Sequence, residues 1–261
     1  MQQVLPPYTT QLGAGLGLVE ETKLLLSLYE LGISTADLYD KALDSGLFPL
    51  VSARRLRNIV VECFAPRYLK TQAAEYLQLL VPHLPSAAIN QLFLFYTAQA
   101  NSILQDFIHE VYWARYTSGR NTLSAEDAKD FVAHAVREGK TQKPWSDSTI
   151  QRVSSYLLGC CADYGLLSAN RSTQRTIQPM RVYDSTVLYL AYQLHFSGLG
   201  DNAVIQHDSW GLFGLETADV REAFKRLAKN NWMIVQSAGD VTRISWSFKT
   251  MKEVVDVITQ N

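Results

Sequence analysis

Three arginines fall within four positions of "VSARRLRNIVVECFAPRYL", residues 51–69: Arg54, Arg55 and Arg57. Arg67 and Lys70 follow, and Glu62 is the one acid between residues 51 and 70. A guanidinium group presents a planar fork of donors that matches phosphate or carboxylate, so the cluster suits an anionic partner. Leu56, Ile59, Val60, Cys63 and Phe64 recur at helical spacing and make one apolar face. At about 100° per residue, Arg54 and Asn58 point away from that face, while Arg55 and Arg57 flank it. Ser52 is placed to cap this helix and Pro66 to close it. Upstream, "STADLYDKALDS" reads as a short helix joined through "GLFPLV". The pair forms a helix-turn-helix-like element with Arg and Asn in the first turn of its second helix, where such elements contact bases and phosphates. The competing reading is a solvated basic face paired with the acids of residues 1–50.

A second candidate is the helix predicted from about Thr149 to Tyr164. Ile150, Val153, Leu157, Cys160, Cys161 and Tyr164 form its buried face, and Ser148, Arg152, Ser155 and Gly159 the opposite one. A small polar face with one arginine lets a helix lie close to a phosphate backbone. A hairpin predicted after it carries Arg171 and Arg175 around its tip, where a wing would meet the duplex. A third candidate is "TADVREAFKRLAKNNW", residues 217–232. There Arg221, Lys225 and Lys229 form an outer stripe, and a Glu222–Arg226 pair would leave that stripe free. Each surface could equally be an ordinary solvent face.

Signs of catalysis are weaker. Cys63, Cys160 and Cys161 are odd in number, lack CxxC spacing and fall on apolar faces, which predicts buried reduced thiols. The five histidines are scattered singly, and His109-Glu110 lacks the second histidine of a zinc-protease motif. "GAGLG" at 13–17 has no preceding strand and no Lys-Ser/Thr to complete a phosphate loop, so it reads as a flexible lead into a helix. "GLGDNAV" at 198–204 reads as a turn without catalytic company. No nucleophile, base and orienter set emerges, and the expectation is a protein that is not an enzyme and needs no cofactor or metal.

These residues must be positioned by a scaffold that the composition describes well. The chain has 261 residues, 47% of them hydrophobic and 19% charged, which fits an ordinary globular protein. The net charge of −1 conceals an uneven distribution: residues 51–70 carry +4 and residues 139–182 carry +4, set in acidic surroundings. The opening "MQQVLPPYTT" has neither a basic n-region nor an apolar core, and no apolar run reaches the roughly 20 residues that span a bilayer. A soluble, cytoplasmic protein without a membrane partner is expected.

The first half reads as helical, with one long core helix over 86–117 and a capping box of Ser124 and Asp127 opening a helix over 125–138. The second half alternates helices with strand-like runs, and helix, turn, helix, hairpin occurs twice. The predicted fold class is mainly α: a helical bundle with helix-turn-helix or winged-helix-like units and short β-hairpins in the C-terminal half. The predicted domains are 1–120, helical with the helix-turn-helix-like element, and 121–261, winged-helix-like.

The strings "TTQLGAGLGLVEETKLLL", "VSARRLRNIVVECFAPRYL", "VSSYLLGCCADYGLL", "GLGDNAVIQHDSWGLFGL" and "VQSAGDVTRISW" resemble the BrxA family of bacterial BREX phage-exclusion systems. The resemblance covers nearly the whole chain. It implies a small non-enzymatic component of a defence locus that binds DNA and works beside a methyltransferase, an ATPase and other subunits. It assigns no DNA-contacting side chain, so the candidates remain Arg54, Arg55, Arg57, Asn58, Ser148, Arg152, Ser155, Arg171 and Arg175. Double-stranded DNA, bound with little sequence preference, is the expected ligand; a protein–protein adaptor and an RNA-binding helical protein are the alternatives.

Overall fold

The structure is a computed structural model and describes residues 7–14, 16–169, 172–238 and 241–260. It is mainly α, with two short antiparallel pairs of strands. The first helices are α1 (Val19–Leu28) and α2 (Thr35–Asp44), and Ser34 caps α2 by accepting from Asp37 N. Ser52 likewise caps α3 (Ala53–Asn58) through Arg55 N. The chain does not stop at Pro66, as the sequence predicts. It continues from α3 as a π-helical stretch, Ile59–Leu69, with Pro66 inside it. In an α-helix the proline ring would strike the carbonyl four residues back. The wider turn moves that carbonyl away, and Lys70 N–H bonds to Ala65 O, five residues back, at 3.0 Å.

Next come α4 (Ala73–Leu80) and α5 (Ser86–Ala100). The single helix predicted over 86–117 is broken at Asn101, whose backbone leaves the helical region (φ −139, ψ 87). Its amide group returns to Thr97 O at 2.8 Å. Beyond the break lie α6 (Ser102–Phe107), a second π-helical stretch (Ile108–Trp113) and α7 (Ala114–Thr117). Then β1 (Thr122–Ser124) leads into α8 (Ala125–Arg137), opened by the predicted capping box of Ser124 and Asp127. α9 (Asp147–Asp163) and β2 (Gln174–Thr176) follow. β2 pairs antiparallel with β1, Leu123 opposite Arg175. Its other edge meets Leu166–Ser168: Ser168 N donates to Thr176 O and Gln178 N to Leu166 O. A small three-part ribbon therefore stands beside α9.

The rest of the chain forms α10 (Asp184–Phe196), α11 (Asp201–Ile205), a 3₁₀ turn (Asp208–Phe213), α12 (Thr217–Ala228), the hairpin β3 (Met233–Ala238) and β4 (Val241–Trp246), and α13 (Met251–Gln260). The Gly239-Asp240 part of the predicted turn lies outside the described residues.

Internal contacts group residues up to Gln78 with Phe93–Pro179, and Leu79–Leu92 with everything from Met180 on. The boundary drawn from sequence at 120/121 falls within the first of these units. The core of the first unit gathers Phe64, Phe93 and Tyr96 around the Tyr68 ring, with centroids 5.2, 5.7 and 6.1 Å away. Burying each such ring contributes roughly 1.5–3 kcal/mol.

In the second unit, α11 stands where the sequence predicts only a turn, and its first residues hold the hairpin. Asp201 accepts from Ile244 N at 2.9 Å and from Trp246 Nε1 at 3.1 Å. Asn202 Oδ1 accepts from Thr242 N at 3.1 Å. These side chains replace a missing strand along the edge of β4. Asp201→Ala should therefore lose about 2 kcal/mol of stability, the penalty for stranding part-buried donors. A urea melt reads this directly, and an unchanged midpoint would show that water satisfies that edge equally well.

Candidate nucleic-acid interface

The predicted inward face of α9 is inward: Ile150, Val153, Leu157, Cys160, Cys161 and Tyr164 are all buried. Ser154 is buried with them, and its hydroxyl donates to Ile150 O at 2.7 Å and to Ala128 O of α8 at 3.3 Å, pinning the two helices together. The helix begins two residues earlier than predicted, because Ser146 is its cap and accepts from Thr149 N. Ser148 Oγ lies 3.0 Å from Ser146 Oγ. Asp147, Ser148, Gln151, Arg152 and Ser155 are exposed. Among the described residues no ion pair engages Arg152. Gln151 escaped the sequence reading, although its place three residues after Ser148 puts it beside this face. Its amide can both donate to and accept from a base edge.

The outward face is shorter than the sequence predicts. Gly159 does not look onto solvent: a Cβ there would sit 3.2 Å from Leu16 Cδ1. The glycine-rich segment, expected to be a flexible lead, packs against the C-terminal half of α9. Leu12 is fully buried, and Leu16 and Leu18 take left-handed backbone angles (φ 54 and 51) on either side of Gly17. Gly17 N donates to Asp163 Oδ2 at 3.0 Å, and a Cβ on Gly17 would come within 2.5 Å of Asp163 Cβ. Only glycine permits that approach. Gly15 lies outside the described residues.

The turn is held from the other side by Arg67. That residue was counted with the basic cluster on sequence, yet it is 2% exposed. Its guanidinium donates to Leu16 O at 2.9 Å and Gly17 O at 3.4 Å. Tyr164 OH donates to the same Gly17 carbonyl at 3.0 Å and lies 2.6 Å from Thr97 Oγ1.

Arg54, Arg55 and Arg57 remain on the surface, with Asn58 half-buried. Among the described residues no ion pair joins Arg54 or Arg57 to an acid, while Glu20 pairs with Lys23 and Glu30 with Lys41. Arg57 edges a recess of about 290 Å³ that Tyr39 and Asp40 also line. On the ribbon, Arg171 lies outside the described residues. Arg175 is half-buried, and its Nη1 donates to Leu158 O of α9 at 3.1 Å, so it ties the ribbon to the helix.

The cysteines are free thiols in the interior. Burial raises all three, Cys161 up to about 12, which keeps them protonated and poorly nucleophilic.

The BrxA family profile matches residues 6–193. The chain belongs to the BrxA family. That membership associates it with BREX phage-defence systems and their other subunits. No curated protein matches the chain. Among solved structures, an uncharacterized protein from Magnetospirillum magneticum shares the fold, with a TM-score of 0.59 at 15% identity, covering 78% of this chain and 98% of its own.

The BrxA match ends inside α10, so α11 to α13 and the second hairpin lie beyond it. There one member of the stripe predicted on α12, Lys225, is paired. Glu222 pairs with Lys225 at 2.6 Å rather than with Arg226, and Arg226 pairs with Asp184 at 3.0 Å. Glu216 and Asp219 cap one another's backbone at the start of the helix. That end of α12 is acidic; the first turn of α9 also carries an acid, Asp147, whereas the first turn of α3 carries none. Among the described residues no group of His, Cys, Asp or Glu is arranged to hold a metal, and no helix is long and apolar enough to cross a membrane.

Surface and buried arginines should separate cleanly on mutation. Arg54→Ala and Arg57→Ala should each change stability by less than about 0.5 kcal/mol. Arg67→Ala should lose about 3 kcal/mol, because it opens a cavity and leaves the Leu16 carbonyl without its donor. Chemical denaturation distinguishes them; equal effects would place Arg67 back among the surface cations.

Proposed function

We propose that this chain is a non-catalytic, double-stranded-DNA-binding component of a BREX system. In this reading α8, α9 and the three-part ribbon act as a winged helix. The exposed first turns of α9, with Ser148, Gln151, Arg152 and Ser155, approach the groove. Arg54, Arg55 and Arg57, with Asn58 beside them, meet phosphates from the helix-turn-helix-like pair α2 and α3. Arg171, which lies outside the described residues, would extend the contact, whereas Arg175 acts through the packing of the ribbon.

The observation that carries this reading is the contrast in how cations are used. Arg54, Arg57 and Arg152 are exposed and without an acid partner among the described residues, while Lys225 and Arg226 on the equivalent helix of the second unit are paired. An exposed arginine at a helix start opposes the helix dipole, and a bound phosphate relieves that conflict. Most of these groups are suited to phosphate rather than base edges, which favours weak sequence preference. The raised thiols speak against cysteine chemistry.

A second reading has its own support: Leu43, Leu47 and Leu50 are 46%, 41% and 99% exposed beside the arginines, a surface suited to docking another subunit. Fluorescence anisotropy with a duplex of about 30 base pairs over a salt series separates the two. Replacing Arg54, Arg55 and Arg57 together by Ala should weaken binding at least tenfold and flatten the salt slope, each lost phosphate contact removing roughly 0.9 from it. Unchanged affinity with lost subunit binding would establish the adaptor; a preference for single-stranded RNA would overturn the duplex assignment.

A further inference from the structure

We propose that the contact joining Arg67, the Leu16-Gly17 turn and the end of α9 is a positioning device. It fixes the angle between the arginine-bearing helix and α9, so that their two basic clusters grip one duplex as a single bipartite surface. The inference rests on the DNA-binding reading above.

Its basis is where the contact sits. α3 and its π-helical continuation run from Ala53 to Leu69, with the exposed arginines in the first turn and Arg67 in the last. α9 runs from Asp147 to Asp163, with Arg152 near its start and Asp163 at its end. The two helices thus bring their C-terminal ends to the same short stretch of backbone, Leu16 and Gly17, and carry their candidate contacts toward the opposite ends.

Polar groups at the junction bond across segments far apart in sequence. Arg67 donates to Leu16 O and Gly17 O, Tyr164 OH donates to Gly17 O, and Gly17 N donates to Asp163. The fit is close: Gly17 admits Asp163 only by lacking a side chain, and a Cβ on Gly159 would sit 3.2 Å from Leu16 Cδ1. A small displacement here is magnified along each helix, because seventeen residues of α9 at about 1.5 Å each make a lever of roughly 25 Å.

Two duplex lengths test this. A duplex of about 10 base pairs is one helical turn and can engage one cluster; a duplex of about 30 can engage both. Gly17→Ala, which drives a Cβ into Asp163, should weaken binding to the long duplex about tenfold and flatten its salt slope, and leave the short duplex unchanged. Tyr164→Phe removes one hydrogen bond, keeps the ring and should act in the same direction more mildly. It decides the matter if Gly17→Ala does not fold.

A folded variant with the wild-type slope on the long duplex would overturn the device. Equal losses on both duplexes would overturn it too, and reduce the contact to a general stabiliser. Should Arg54→Ala, Arg57→Ala and Arg152→Ala leave both duplexes unaffected, the DNA-binding reading itself fails, and that result is independent of the Gly17 and Tyr164 variants.

Discussion

A guanidinium group buried in the core is the constraint around which the first unit is organised. Arginine cannot shed its proton inside a protein, so the interior must supply acceptors for it. Here they are the carbonyls of Leu16 and Gly17 rather than a carboxylate. To present both, the chain takes left-handed backbone at Leu16 and Leu18, which costs about 1–2 kcal/mol for each L-residue. Hydrogen bonds to a charged donor contribute about 1.5–3 kcal/mol each and offset that strain. The turn must then lie flat on α9, which requires glycine at 17 and leaves little room for a side chain at 159. One buried charge thus specifies a turn, a helix face and a glycine.

The second unit repeats the order of helix, turn, helix and hairpin without such a charge. Its hairpin is held by neutral and carboxylate acceptors. The Tyr192 hydroxyl donates to Trp232 O and accepts from Ser247 N, and Asp201 with Asn202 lines the edge of β4. Two cations of α12, Lys225 and Arg226, are engaged in pairs within the unit. Similar backbone order therefore supports different surfaces: the first turn of α3 carries arginines and no acid, and the first turn of α12 carries Asp219. Function on such folds resides in the surface chemistry and not in the order of elements.

A chain with net charge −1 can still offer an anion a local site, because screening confines the attraction between exposed charges to about 10 Å at 0.1 M salt. What matters is which cations reach solvent. Of the basic residues in 51–70, Arg67 is inside the core, leaving the arginines of α3 and Lys70 at the surface. Of those in 139–182, Arg175 is tied to the α9 backbone and Lys140 lies within 4.0 Å of both Asp106 and Glu110. The surface that remains is narrower than the charge count suggests.

Much of this was present in the sequence because it is decided locally. Ser34, Ser52 and Ser124 cap helices through bonds that span three residues, and the inward face of α9 follows from helical periodicity alone. The exposed positions of Arg54, Arg55 and Arg57 follow from the same periodicity. What depended on distant segments was not legible. Arg67 and Arg57 look alike in sequence, and only the carbonyls brought from residues 16 and 17 make one of them interior. Gly159 reads as open surface until Leu16 arrives to cover it, and Glu222 had two cations within reach of its own helix until Asp184 took Arg226. The sequence determined which residues share a helix face; the tertiary structure decided which faces are covered, since burial depends on what the rest of the chain places against them.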